Sequence, residues 1–181
     1  MKNTVLLLLF ILVANTLTAQ KYSTKNGNIH FEASVPLFED VDAKNSNTTV
    51  ILNADTGDIA SVAMVKGFKF KVSLMEEHFN ENYAESVKYP KTTFVGKILN
   101  FKKEGLSEIP RNYTISGTLN FHGVDHKTLT VASIYLKDNT INITGNFIAK
   151  PADYNVKIPK MVTKKIAENV NVDYQFILIK S

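Results

Sequence analysis

An alternating stretch between residues 113 and 127 constrains the fold of this chain more than any other feature. Apolar side chains occupy every second position on either side of Gly117, and Gly123 then provides a turn before a second run begins. A period of two is typical of a strand whose faces differ. One face of the first strand is predicted to carry Tyr113, Ile115, Leu119 and Phe121.

The same alternation recurs along most of the chain, with short turn signals such as Asp138-Asn139 between the runs. Consecutive runs joined by short turns favour antiparallel pairing in a meander. We predict an all-β fold, an antiparallel up-and-down barrel of about eight strands, because closure removes unpaired edges and this size holds one small ligand. A two-sheet sandwich is the alternative. The predicted strands cover residues 28–33, 49–52, 59–65, 68–72, 92–101, 112–122, 127–137, 140–149 and 170–178.

One segment in the middle of the chain has helical spacing instead. Apolar residues recur at helical intervals over 74–85, Ser73 and Glu76 match a capping box, and Pro90 stops the segment. The spacing predicts one amphipathic helix. A second, short helix is predicted within residues 161–169. The apolar side of the main helix is predicted to comprise Leu74, Met75, Phe79 and Tyr83.

The first nineteen residues have the pattern of a secretory signal peptide. Lys2 precedes an apolar run over residues 5–13, and small residues end at Ala19. We therefore predict a signal peptide at 1–19, a single domain at 20–181 and a periplasmic or secreted protein. The run is shorter than the ~20 residues that a membrane span needs, and no membrane span is predicted in the mature chain.

Composition excludes several classes of function. The chain has no cysteine, which rules out thiol nucleophiles, thiolate metal sites and redox pairs. Its 21 basic residues outnumber 17 acidic ones but are scattered along the chain. A nucleic-acid groove needs clustered basic residues, so no nucleic-acid partner is predicted.

Two segments contain histidines that are candidate metal ligands or catalytic residues. His122, Asp125 and His126 are potential zinc ligands, but their spacing suits a helix and the segment is predicted to be strand and turn. A hydrogen-bonded, structural His122 is favoured. His78 lacks the second histidine of the zinc-protease helix motif. We predict no metal site, no cofactor and no catalytic residue.

Three segments resemble the YceI-like family, exported bacterial proteins with a lipocalin-like barrel. Residues 117–124 are similar to the family's segment Gly-x-Leu-Thr-hydrophobic-His-Gly-Val, although Asn120 replaces the usual Thr. Residues 147–154 are similar to its later Phe-led strand and Asp-aromatic pair, with Lys150 where Arg is common. Residues 89–98 are similar to the strand that follows the helix. The resemblance runs from about Phe68 to the end, and it implies binding of a long isoprenoid or similar apolar chain.

Taken with this resemblance, the alternation predicts an extracytoplasmic protein that binds an isoprenoid, quinone or other long-chain lipid for carriage, storage or protection, and that is not an enzyme. A lined cavity and a solid core use the same residue types. The alternatives are therefore a filled-barrel adaptor or stress protein acting through its loops, and an enzyme on an apolar substrate; a homodimer is also open. The predicted cavity residues are Phe68, Phe70, Phe79, Phe94, Ile115, Leu119, Phe121, Ile143, Phe147, Val172, Tyr174 and Phe176.

Overall fold

The chain is almost entirely β-structure. The computed structural model describes residues 20–35, 40–159 and 167–181. Within these ranges there are nine strands and one α-helix, with short 3₁₀ turns at Val65–Gly67, Lys103–Gly105 and Pro151–Tyr154. The elements are β1 (Lys21–Glu32), β2 (Asp42–Asn53), β3 (Asp58–Met64), β4 (Lys69–Phe70), α1 (Ser73–His78), a π-helical turn (Phe79–Tyr83), β5 (Lys91–Ile98), β6 (Arg111–Phe121), β7 (Val124–Lys137), β8 (Thr140–Ala149) and β9 (Val170–Lys180).

Eight of these strands close into one barrel. Every pairing is antiparallel, the sheet order is β1-β9-β8-β7-β6-β5-β3-β2-β4, and β1 also pairs with β2. The two-residue β4 lies beside β2 and outside the closed ring. The predicted antiparallel barrel of about eight strands with a mid-chain helix is confirmed, and the single closed sheet rules out the sandwich.

Two tight turns set the register of the long hairpins. At the β6–β7 turn, His122 and Gly123 have φ of 52° and 74°, and at the β7–β8 turn Asp138 and Asn139 have φ of 48° and 59°. Two successive positive φ values give the turn whose twist matches that of paired strands. Gly adopts this conformation freely, and Asn, Asp and His adopt it more often than other residues do.

The first two strands are longer than the sequence predicts. β2 begins at Asp42 rather than near Thr49, and β1 begins at Lys21 rather than Asn28. The polar run at the start of β2 has the composition of a loop, but pairing with β1 keeps it extended. Asn45 is buried there, and its side-chain amide donates to the carbonyl of Met64 at 3.0 Å. A buried amide with partners replaces the apolar group that the pattern would require.

The predicted helix is partly wrong. Only Ser73–His78 is α-helical, and the chain continues as the π-helical turn. The capping box does not form: Glu76 instead accepts from the backbone N–H of Phe70 and from the Lys69 ammonium. Leu74, expected on the buried side, is 57% exposed. It lies in the first turn of an α-helix of only six residues, and the π-helical turn that follows does not continue the regular spacing. The predicted helix within 161–169 lies almost wholly outside the described residues.

One end of the barrel interior is filled with side chains, and we call it the filled end. Its completely buried side chains come from five different strands or their ends. The filled end is built around Leu52, Ile98, Ile134, Ile141 and Leu178.

No described helix is both long and apolar enough to cross a membrane.

A histidine joins the three strands at which the barrel closes. His30 of β1 lies with Nε2 2.8 Å from Asp42 Oδ2 of β2 and Nδ1 3.5 Å from Asp173 Oδ2 of β9. The hydrogen bond with Asp42 raises the pKa of His30, and the contacts with Asp173 add to this against an opposing effect of burial. The charged imidazolium therefore stabilises the closure between β1 and both of its neighbours.

We expect the filled end to supply most of the stability. Leu178→Ala removes a fully buried side chain and should lower the free energy of unfolding by about 2–5 kcal/mol. Leu129→Ala is the matched control, because Leu129 is 68% exposed and its truncation should change the free energy by less than about 0.5 kcal/mol. Urea unfolding of both variants measures this, and equal effects would contradict the assignment.

The His30 contacts should make stability depend on pH. Since the pKa of His30 in the folded protein is raised above the ordinary histidine value of about 6.5, the stabilisation is present below that value and is lost as pH rises through the folded pKa. His30→Gln should therefore destabilise the protein at about pH 5.5, by less than about 1 kcal/mol because the pair is partly exposed, and should have less effect at about pH 9. Urea unfolding at the two pH values tests this; a difference that grew with pH would contradict it.

Candidate functional site

The other end of the barrel interior is hollow. A cavity of about 460 Å³ runs from the middle of the barrel to the end covered by residues 71–90, which we call the lid segment. The lid segment contains α1 and the π-helical turn, and it makes no strand pairing. Its exposed His78 also lines the cavity, so the cavity reaches the surface beside α1.

Four residues form the floor of the cavity, because they belong both to the packed core and to the cavity lining. They are Ile59, Ile115, Tyr174 and Phe176. Gly145 makes room for one of them, since a Cβ there would collide with the Tyr174 hydroxyl. The filled end therefore stops at a defined layer, above which none of the described side chains fills the axis.

The floor carries one hydroxyl pair. Thr130 Oγ1 donates to the carbonyl of Asn146 at 2.6 Å and lies 3.2 Å from the Tyr174 hydroxyl, which then donates to it. Burial raises the pKa of Tyr174, so the phenol remains protonated at neutral pH. Both hydroxyls are hydrogen-bonded within the wall, as buried polar groups require.

The walls of the cavity are apolar and uncharged. Among the described residues, no Lys, Arg, Asp or Glu side chain lines it, and the polar lining consists of hydroxyl groups and His78. Phe94 lies against the paired glycines Gly96 and Gly117. A side chain at either glycine would collide with the ring of Phe94, which could not keep this position. An uncharged, apolar cavity of this size suits a neutral, largely hydrocarbon ligand.

Four phenylalanines from separate elements cover the lid end and form what we call the aromatic cluster. Phe31 of β1 has its ring centroid 5.4 Å from those of Phe68 and Phe79 and 5.7 Å from that of Phe70, and Phe70 lies 5.2 Å from Phe79. Tilted and edge-on rings at these distances attract each other. The π-helical turn begins at Phe79, and such turns are frequent at functional sites.

Eleven of the twelve predicted residues line this one cavity, and Ile143 does not. Ile143 is fully buried in the filled end, so its strand face was predicted correctly but the cavity does not extend to its depth. Contact of the other residues with a ligand stays a prediction. The eleven are Phe68, Phe70, Phe79, Phe94, Ile115, Leu119, Phe121, Phe147, Val172, Tyr174 and Phe176.

Sequence reasoning missed the part of the lining that lies outside regular strands. Tyr154, Val156 and Ile158 follow β8 in a segment without periodicity, so no pattern indicated which side chains point inward. Burial raises the pKa of Tyr154 against a hydrogen bond with Thr128. Ile29 and Phe31 alternate in β1 and could have been found from that signal.

The three residues considered as zinc ligands do not converge. The ring of His122 contacts Tyr154 and Glu85, Asp125 accepts from the side chain of Asn120, and His126 Nε2 lies 3.7 Å from Asp153 Oδ2. The described residues contain no group of three or more side chains placed to hold a metal ion. The geometry shows a hydrogen-bonded His122 beside the turn, as the sequence predicts.

Comparison with known proteins supports the fold. A polyisoprenoid-binding domain from Saccharophagus degradans, implicated in plant cell wall breakdown, superposes with a TM-score of 0.77 at 15% identity, over 91% of this chain and 100% of that one. BcnA of Burkholderia cenocepacia gives 0.70 at 14% identity, over 85% and 96%. A YceI protein of Campylobacter jejuni gives 0.60 at 14%, over 79% and 88%.

No curated protein matches the chain. The family model described as the YceI-like domain matches residues 14–178, which is most of the chain. The match includes all nine strands except the last two residues of β9. The match extends over the barrel, the lid segment and the β6–β7 turn alike. The chain therefore belongs to the YceI-like domain family.

Proposed function

We propose that this protein binds an isoprenoid, quinone or other long-chain lipid inside its barrel, outside the cytoplasm, for carriage, storage or protection. The observation that carries the proposal is the uncharged cavity of about 460 Å³ between a packed floor and the lid segment. The solved relative from Saccharophagus degradans is described as a polyisoprenoid-binding domain, which supports the same class of ligand.

Burial of the ligand's hydrocarbon would supply the affinity. Each methylene removed from water contributes about 0.8 kcal/mol, so ten ordered methylenes contribute about 8 kcal/mol before the entropy of ordering is subtracted. This gain depends little on the identity of the chain, and the cavity therefore selects for an apolar shape. A polar end would lose hydration if it were buried unpaired, so we place it at the mouth near His78 and Thr92.

The cavity favours this function over the alternatives. A filled-barrel adaptor would leave no empty volume between floor and lid segment. For an enzyme, the two histidines offer no reactive pair, because both ring nitrogens of His122 are engaged outside the cavity and His78 lies exposed at its rim. The extracytoplasmic part of the proposal depends on the predicted signal peptide at 1–19, which lies outside the described residues.

A charge on the cavity wall should abolish binding. Leu119→Glu places an unpaired carboxylate in the apolar lining and should weaken binding of the neutral fluorophore diphenylhexatriene by more than about tenfold. Leu129→Glu introduces the same charge on the outer face of the neighbouring strand, where the residue is 68% exposed, and should bind as the wild type does. Fluorescence titration measures both; loss of binding in Leu129→Glu alone would reverse the assigned faces.

Protein purified from its own host should carry its ligand. Native mass spectrometry should show a second species, heavier than the polypeptide by one lipid, and organic extraction should release a long-chain compound. The Leu119→Glu protein from the same host should lack this species, because its cavity excludes hydrocarbon. Wild-type protein that showed only the polypeptide mass and an empty extract would contradict the proposal.

A further inference from the structure

His122 connects three elements near the lid end of the cavity: the β6–β7 turn, the 3₁₀ turn after β8 and the lid segment. It occupies the β6–β7 turn, and its side chain is only 11% exposed. Nδ1 lies 3.0 Å from the carbonyl oxygen of Tyr154 in the 3₁₀ turn after β8, and Nε2 lies 2.6 Å from Glu85 Oε2 in the lid segment. The ring of Tyr89, also in the lid segment, packs edge-on against the imidazole at 4.5 Å.

The two partners of this imidazole make different demands on its protons. A carbonyl oxygen and an ionised carboxylate are both acceptors only, whereas a neutral imidazole has a single N–H. Both contacts are therefore hydrogen bonds only when the ring carries a second proton. If a neutral ring carries its proton on Nδ1, it donates to the Tyr154 carbonyl and turns the lone pair of Nε2 toward the Glu85 carboxylate. If the proton is on Nε2, the ring donates to Glu85 and loses the hydrogen bond to Tyr154.

We propose that His122 is a protonation-dependent latch: its imidazolium holds the lid segment to the β6–β7 turn, and loss of the proton releases the lid segment and speeds exchange of the bound ligand. This inference rests on the proposed function, since a latch on the cavity matters only if the cavity exchanges a ligand. Glu85 is well placed for such a role because its φ of 43° holds the backbone in a turn at the end of the helical part of the lid segment.

Other charged groups also lie around the latch. From the lid segment, Lys88 Nζ lies over the ring of Tyr89, 4.9 Å from its centroid. The interaction with Tyr89, and then the attraction of Glu85, raise the pKa of Lys88, so its charge does not change through neutral pH. From the hairpin and the 3₁₀ turn, His126 faces Asp153 at 3.7 Å and Asp125 is bonded to Asn120. The titratable groups that contact the His122 ring itself are therefore Glu85 and Tyr89, and only the carboxylate of Glu85 changes its attraction with the charge of His122.

The first test needs no ligand. Nitrogen-15 spectra of the imidazole rings, recorded on the whole mature protein between about pH 5.5 and about pH 8.5, distinguish the imidazolium and neutral forms of His122. Amide signals of the lid segment should shift together with any change between these two forms. A His122 ring that stays neutral over this range, or lid amides that do not follow its titration, would overturn the latch.

The second test measures release of diphenylhexatriene, which has no ionisable group. Protein loaded with it is mixed with excess phosphatidylcholine vesicles that contain a nitroxide-labelled quencher, and the quenching rate is followed by stopped flow. The wild-type release rate should rise about tenfold over the same pH range, as expected for loss of a hydrogen bond to a charged group.

Two variants at the same contact should respond in opposite ways. In the His122→Gln variant, the amide side chain cannot contact Tyr154 and Glu85 in the way that the two ring nitrogens do. Release of the fluorophore from this variant should therefore be fast at every pH. Glu85→Gln should be slow at every pH, because an amide donates to a neutral Nε2 and accepts from a protonated one. A role in stability alone would make both variants release faster, and that result would overturn the proposal.

His30→Gln is the control, since it removes another histidine that contacts carboxylates, and its partners Asp42 and Asp173 belong to strands rather than to the lid segment. It should keep the wild-type pH dependence, and a flat profile in this variant would overturn the assignment to His122. A flat profile in wild-type protein that binds the fluorophore overturns the latch alone. Absence of binding contradicts the proposed function and with it the exchange of ligand; the ring and lid-amide signals then show separately whether His122 holds the lid segment.

Discussion

Closure of the sheet by β1 is the constraint on which the other features depend. β1 pairs with β2 along one edge and with β9 along the other, with the register interrupted between Ser23 and Ile29. A closed sheet of eight strands has no edge left for pairing with another chain, and its diameter is fixed by the strand number. The interior is therefore a space of set width, and what fills it is decided by side chains alone.

The size of the inward-facing side chains divides this space. Toward one end, branched residues of five strands meet on the axis and exclude solvent completely. Toward the other, the ring of Phe94 lies against two glycines, and the described side chains leave a cavity on the axis. The packed core and the cavity thus occupy different halves of one barrel. A hollow half is tolerated because the packed half already buries a continuous core.

Much of this arrangement could be predicted from the sequence, because strands with unlike faces leave a period of two. The long hairpins of β6, β7 and β8, the inward faces of Leu119 and Phe147 and the turn at Gly123 all follow from that signal. The depth of a residue along the barrel axis leaves no periodic signal in the sequence. Ile143 therefore has the inward face that was predicted but lies below the cavity, at a level that only the register of all the strands defines.

Other features escaped prediction because their cause is long-range. The start of β2 contains Lys44, Ser46 and Asn47, which have no tendency to form a strand. Pairing of β2 with β1 and with β4 keeps this run extended, and Ser46 and Asn47 lie where the register with β1 shifts. Helical spacing over 74–85 predicts Leu74 on the buried side, but the α-helix ends at His78 and the chain continues as a π-helical turn whose first residue, Phe79, packs in the aromatic cluster. Both segments therefore depend on contacts with residues that are distant in the sequence.

The two ends of the barrel also differ in the side chains that join them. Packing of buried side chains at the filled end is non-directional, whereas histidine–carboxylate contacts lie toward the other end: His30 with Asp42, His122 with Glu85 and His126 with Asp153. A charged pair without histidine, Lys97 with Asp58, joins β3 to β5 beside Ile98 of the filled end. The attraction within a histidine–carboxylate pair depends on the charge of the imidazole. None of the described histidines belongs to the packed core, so the contacts that depend on an imidazole proton are separate from the packing that supplies the stability.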